Sequence, residues 1–286
     1  MLSEFQMINS GSRSLAKHLI IIFSFLLLAH FASAQKFSFG VRAGGLATWP
    51  SFADKEEKQG FSRNVSMGHT ETIFIAFPMK KDFHFVAEGG YAQRRRRLKF
   101  NNDNWVNKSV YNFIDISGLL RKSFHFQLEK NVPATWYVNF GPEVSYWLNG
   151  AGEFTAGGAW YPYTIKFDQE AGTINEMAVP NANRWLFGLA FGIGMKAPLH
   201  NHHHIGIELR ISSGHSYLSN EGRFLDPDLG VDPRYPVPSF DDTMKVNLKS
   251  IGLSVNYSLD FDVQQSRKGR STLDKKVKTK RPHHRR

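Results

Sequence analysis

The sequence predicts an all-β fold: an eight-stranded antiparallel up-and-down transmembrane β-barrel with short periplasmic turns and long extracellular loops. Three observations carry the prediction. Segments of about ten residues alternate apolar and polar side chains, the pattern of strands that are lipid-covered on one face and wet on the other. Their connections alternate short and long along the chain. An export leader comes first, and after it no run of about 18 apolar residues remains to form a spanning helix.

Arg184–Lys196 (RWLFGLAFGIGMK) shows the alternation most plainly. Trp185, Phe187, Leu189, Phe191, Ile193 and Met195 share one face; Gly188, Ala190, Gly192, Gly194 and Lys196 share the other. The leader is residues 1–34. Arg13 and Lys17 form its positive region, Leu19–Ala29 is an apolar run too short to span a bilayer comfortably, and Ala32-Ser33-Ala34 supplies the small-residue cleavage pattern. The mature chain then begins at Gln35, with Met7 a shorter alternative start. An uncleaved membrane anchor is the competing reading. No cysteine occurs, which excludes lipoprotein processing, disulfides and thiol chemistry.

The net charge of +11 is concentrated in one segment. Residues 264–286 carry ten Lys and Arg against Asp274, so the body, 35–263, is nearly neutral. A nucleic-acid partner therefore has no support in the body of the chain. The basic segment has few apolar residues and is expected to be a disordered periplasmic tail, with an anionic periplasmic surface as its candidate partner.

Eight strands follow in order. They are about Lys36–Leu46, Thr70–Met79, Phe83–Arg95, Val110–Lys122, Thr135–Leu148, Arg184–Lys196, His204–Ser213 and Val246–Phe261. Short connections fall at Lys80–Asp82, Ser123–Ala134 and Ala197–His203, and long ones at Ala47–His69, Arg96–Lys108, Asn149–Asn183 and Gly214–Lys245. An even strand count puts both ends on the periplasmic side. Closure has a physical cause: no backbone N–H or C=O can stay unpaired in hydrocarbon, so the sheet must have no edge. Trp136 and Phe261 are placed at the periplasmic aromatic belt, and Tyr146, Trp147 and Trp185 at the outer one. A soluble lipocalin-like barrel, apolar inside, is the structural rival.

The stretches Phe39–Leu46 (FGVRAGGL), Phe85–Ala92 (FVAEGGYA), Tyr111–Arg121 (YNFIDISGLLR), Val138–Leu148 (VNFGPEVSYWL), Phe187–Met195 (FGLAFGIGM), Ile207–Ser212 (IELRIS) and Lys249–Asp260 (KSIGLSVNYSLD) carry a resemblance through their order and spacing. The chain resembles the small outer-membrane β-barrel proteins of Bacteroidetes, the PorT-like family. The resemblance implies a bacterial outer-membrane location and allows a secretion-accessory role. It also implies outer-membrane lipid and lipopolysaccharide as surroundings, and the outer-membrane barrel assembly machinery as a folding partner.

The inward face collects Arg42, Glu88, Asp115, Arg121, Glu143, Glu208 and Arg210, with Lys196 as a further candidate. An eight-stranded barrel is just wide enough for side chains to fill it, so these charges are read as a paired network that closes the interior. A gated small pore is the competing reading. Arg94, Arg95, Arg96 and Arg97 fall at the outer end of the third strand, where guanidinium groups suit lipopolysaccharide phosphates. His215, Ser216 and Ser219 invite comparison with an outer-membrane lipid hydrolase, but adjacent His215 and Ser216 face opposite sides. His200, His202, His203 and His204 crowd one turn, where consecutive side chains point apart, so no metal ligand set is assigned. Asn64-Val65-Ser66 and Asn107-Lys108-Ser109 are chance matches to a glycosylation acceptor pattern. Neither a cofactor site nor a catalytic set is expected. The reading is a non-enzymatic, structural or surface-binding barrel, with a channel or secretion-accessory barrel as the alternative and a lipid hydrolase as the third.

Overall fold

In the computed structural model eleven strands of the described residues are hydrogen-bonded into a single sheet. The structure describes residues 36–53, 61–100, 106–129, 132–156, 158–167, 176–179, 181–200, 202–219 and 245–262. The leader, the mature start at Gln35 and the basic segment 264–286 lie outside the described residues.

The strands are β1 (Lys36–Phe52), β2 (Phe61–Asn64), β3 (Ser66–Pro78), β4 (Phe83–Phe100), β5 (Val106–Glu129), β6 (Val132–Ala156), β7 (Ala159–Phe167), β8 (Glu176–Val179), β9 (Trp185–His200), β10 (His203–Gly214) and β11 (Val246–Asp262). Eight of them, β1, β3, β4, β5, β6, β9, β10 and β11, form a ring in that order, with β11 returning to β1. The chain divides into two compact units. Residues 38–260 hold the ring. Of the second unit the described residues are 36–37 and 261–262, where Phe37 stacks on Phe261 at 5.0 Å and Lys36 pairs with Asp262 at 3.4 Å.

Alternation fixes which face is wet. In β9, Trp185, Phe187, Leu189, Phe191 and Ile193 are exposed, whereas Ala190, Gly192 and Gly194 are buried. Ile205, Ile207, Leu209 and Ile211 of β10 and Leu253 and Val255 of β11 are exposed in the same way. Between them Glu208 is 1% exposed. Apolar side chains cover the outside and charged ones the inside, which rules out the lipocalin-like arrangement. On β5 the outward row from Ile114 to Phe124 is apolar except for Lys122 near its turn end. At about 3.3 Å per residue and about 40° of tilt, that row is about 25 Å tall, the height of the lipid-facing band of such barrels.

Each predicted strand is present, and several are longer than the sequence suggested. Ser123–Ala134 reads as a connection, yet β5 and β6 stay paired through Phe124↔Trp136 and Phe126↔Ala134. Aromatic residues hold the ladder together there, with the Phe126 and Trp136 rings 6.0 Å apart. The turn from β3 to β4 puts Lys81 and Asp82 at positive φ (56° and 63°), the pattern of the type I′ hairpin. At the opposite end β4, β5 and β6 run well past the apolar band. There β2 adds to β4 and β7 to β6, and β8 joins β7 in parallel. These three extra strands lie in segments read as loops.

One glycine sets how close the wall approaches the interior. A Cβ on Gly194 would lie 2.4 Å from the Tyr137 ring. Gly194→Ala should therefore push Tyr137 off Glu208 and cost about 1–3 kcal/mol. Chemical unfolding of refolded protein in detergent checks this; an unchanged midpoint would show that Tyr137 is not held there.

Candidate functional site

The middle of the ring is filled by a four-membered ion cluster drawn from β1, β4 and β10. Arg42 donates from Nη1 and Nη2 to Glu88 Oε1 and Oε2, both at 2.9 Å, and from Nη1 to Glu208 at 3.3 Å. Arg210 donates to Glu88 from Nη1 and Nη2 at 2.5 and 3.1 Å, and from Nε to Glu208 at 2.8 Å. Two cations thus share two carboxylates, with all lone pairs directed at donors. Ser117 donates to Glu88 at 3.1 Å; Tyr137 and Asn139 donate to Glu208 at 3.1 and 3.0 Å. Inside a wall of low dielectric such pairing is what makes the burial of four charges tolerable.

A second cluster lies toward the end of the long connections. Arg94 Nη2 donates to Asp115 at 2.7 Å and to Glu143 at 3.1 Å, and its Nη1 donates to Ser145 at 3.0 Å. Ser212 donates to the other Glu143 oxygen at 3.1 Å. This corrects the reading of Arg94–Arg97 as one outward patch. Alternation along β4 turns Arg94 and Arg96 inward with Glu88, and both are buried; only Arg95 and Arg97 face outward, followed by Lys99. The parity shared by Glu88 and Arg94 was the signal for this. Between the two clusters is a cavity of about 40 Å³, lined by Arg42, Glu88, Arg94, Asp115, Glu143 and Arg210. That volume accommodates a few ordered waters.

Arg121 and Lys196 stand apart from these clusters, nearer the short turns. Arg121 donates from Nε to Asn139 at 2.8 Å and lies 4.3 Å from the Tyr137 ring centre. Arg42, Glu88, Glu208 and Glu143 are buried, and Arg210 and Asp115 are partly exposed.

Beyond Arg94 the buried lining becomes largely aromatic and aliphatic, with Arg96, Asn107 and Ser109 set into it. Trp147, Tyr111, Phe113, Leu186 and Leu248 line the wall, and β7 and β8 pack Ile165, Met177 and Val179 onto them. Trp147 was placed in the outer lipid belt, but it is 0% exposed, because Tyr146 takes the outward position and Trp147 the next. Tyr146 and Trp185 do lie together outside, with ring centres 4.7 Å apart. At the turn end Phe74, Ala76, Val86, Leu119 and Ala190 form a second apolar layer. This layer covers β3, β4, β5 and β9, while on the rest of that side Tyr137, Asn139 and Asn256 carry the polar lining on toward Arg121. Nothing in the alternation of the barrel strands pointed to the roof, which comes from a connection.

The outer face of the strand extensions is polar. Tyr91 and Gln93 donate to Asn112 Oδ1 at 2.7 and 3.4 Å, Asn112 donates to Asn149 at 2.6 Å, and Arg95 donates to Gln93 at 2.9 and 3.1 Å. Further out, Lys108 pairs with Glu153, and the Trp160 indole N–H donates to the same carboxylate at 2.9 Å. Those two hydrogen bonds hold the Glu153 carboxyl below its ordinary range.

The remaining candidates diverge. His215 is exposed, Ser216 Oγ accepts the Phe187 amide at 3.0 Å, and Ser219 is buried, so no nucleophile–base pair forms among them. His203 bonds the Tyr257 hydroxyl while His204 faces Asp260 at 3.7 Å. Among the described residues no three metal-ligating side chains converge.

No curated protein matches the chain. Solved structures similar to it include Neisserial surface protein A (13% identity, 78% of this chain and 97% of that one, TM-score 0.35). They also include OprG from Pseudomonas aeruginosa (10%, 78% and 95%, TM-score 0.42) and the attachment invasion locus protein Ail of Yersinia pestis (10%, 78% and 98%, TM-score 0.33). The family described as outer membrane protein beta-barrel domain matches residues 31–217. With a closed ring, an apolar outer belt and a polar interior, the chain belongs to that family and is a protein of the bacterial outer membrane.

Proposed function

We propose that this is a non-enzymatic surface barrel whose interior does not conduct and whose outer strand extensions engage the surrounding lipopolysaccharide. The observation that carries the first part is the filling of the interior along the axis: a roof of β7 and β8 side chains packed on Trp147 and Leu186, and below it two ion clusters paired across the ring. A narrow channel, or a secretion-accessory barrel of the PorT type, would need β7 and β8 to leave the mouth and the Arg42–Glu88–Arg210–Glu208 cluster to open. Planar-bilayer recording of refolded protein tests this. The expected result is a flat trace with folded protein; discrete conductance steps at modest voltage would support the channel instead.

For the second part, Arg95, Arg97 and Lys99 form an outward cationic row just above the apolar belt, at the level of lipid A phosphates. At about 1 kcal/mol per cation near an anionic surface, replacing all three by Ala should weaken lipopolysaccharide retention markedly. Co-purification at physiological salt reads this out, and equal retention by the triple variant would remove the contact. Unchanged acyl chains on lipid A from expressing cells are expected, since no hydrolytic pair is in place. Insertion requires the barrel assembly machinery, and residues 264–286 would meet anionic periplasmic surfaces through charge alone. Deleting them should leave the barrel's stability unchanged.

A further inference from the structure

We propose that the turn end of the barrel holds a site for one compact oxyanion, a phosphate or a carboxylate, built by Arg121 of β5 and Lys196 of β9 with His84 and His204 at its edge. The starting observation is an imbalance of buried charge. Arg42, Arg94 and Arg210 each meet a carboxylate within 2.9 Å. Arg121 is only 6% exposed, yet no carboxylate of the described residues lies within ion-pair distance. Its guanidinium is steadied by the Tyr137 ring at 4.3 Å and the Phe74 ring at 5.8 Å, and by Nε donating to Asn139. Both terminal amino groups are left without a protein acceptor among the described residues. Lys196, also inward and partly buried, has neither a hydrogen bond nor an ion pair among them.

The register brings these groups to one level. His84 is the cross-strand partner of Arg121. Lys196 follows Gly194 on the inward face, and Gly194 is the partner of Tyr137, whose ring carries Arg121. The charges of Arg121, Lys196 and Asp260 all act on the His84 ring. Asp82 faces Lys122 and His125, and Asp260, whose charge also acts on Lys196, already has two partners: Ser38 donates to it at 2.5 Å and His204 stands 3.7 Å away. Two cations held in a narrow mouth repel each other and lose hydration. An oxyanion between them would relieve both costs. The open guanidinium fork suits two parallel hydrogen bonds to an oxyanion, and Lys196 adds a point charge. The confined mouth favours a compact ligand over a polymer.

The test uses the full mature protein refolded in detergent, with its unfolding midpoint followed by heat-modifiable gel mobility. Sodium phosphate, sodium acetate and sodium chloride are compared at matched ionic strength and pH. A ligand that binds only the folded state raises the midpoint with concentration and saturates logarithmically. The expected result is a rise in phosphate or acetate beyond that in chloride. A response to phosphate alone assigns phosphate, and a response to acetate alone assigns a carboxylate. Lys196→Met should weaken apparent affinity at least tenfold, Lys196→Arg should retain it within about threefold, and Lys81→Gln on the exposed turn should leave it unchanged. Arg121→Gln serves as the second variant should Lys196→Met fail to refold. Equal midpoints in all three salts, or a full response in both Lys196→Met and Arg121→Gln, would overturn the proposal.

Discussion

Glu88→Gln is expected to destabilise the barrel by about 3–5 kcal/mol, the cost of stripping one partner from a buried charge cluster. Glu88 takes two hydrogen bonds from Arg42 and two from Arg210, and its side chain is 1% exposed. Neutralising it leaves two guanidinium groups sharing Glu208 alone. The surplus cation cannot reach bulk water from the middle of a narrow ring. Urea unfolding in detergent measures the loss. The double variant Arg42→Met, Glu88→Gln should recover part of it, because Arg210 and Glu208 then remain as a one-to-one pair at 2.6 Å. A cost below about 1 kcal/mol for the single variant would mean that water fills the ring and screens the charges.

Leu189→Arg should cost about 2–4 kcal/mol, for the opposite reason. Leu189 is exposed, and on the surface of a soluble protein such a change would be nearly neutral. Here it lies near the middle of the apolar belt, between Trp185 at one border and Met195, the partner of Trp136, at the other. The same substitution at Leu199, exposed near the short turn and outside that belt, should cost little. Folding into lipid vesicles across a denaturant series reads both out. Equal effects at Leu189 and Leu199 would mean that no depth-dependent medium surrounds the sheet.

The ring itself was legible because a strand in this setting has one binary constraint per residue, greasy out or polar in. Ile205, Ile207, Leu209 and Ile211 obey it without exception, as do Arg42, Glu88 and Glu208 on the other side. Errors arose where a second rule operates. Arg94–Arg97 looked like one charged block, but the pleat separates it into an inward pair and an outward pair. Trp147 looked like a belt residue by its type, although its neighbour Tyr146 held the outward parity. The roof was hidden for a different reason. Ile165, Met177 and Val179 belong to β7 and β8, whose partners are set by tertiary contact with Trp147 and Leu186. Short strands in a long connection leave no periodic trace strong enough to assign, and the polar partners Asn139, Ser145 and Ser212 show their role only once the opposite strand is known.

The central claim is that lipid touches the outward rows while the inward rows meet inside a closed ring. The chain has no cysteine, so single cysteines can be introduced without background from residue 185 to 196 and spin-labelled in bilayers. The account predicts a two-residue oscillation in oxygen accessibility, with maxima at Trp185, Phe187, Leu189, Phe191 and Ile193 and minima at the residues between. A flat profile, or preferential access of a water-soluble relaxant to those odd positions, would contradict it.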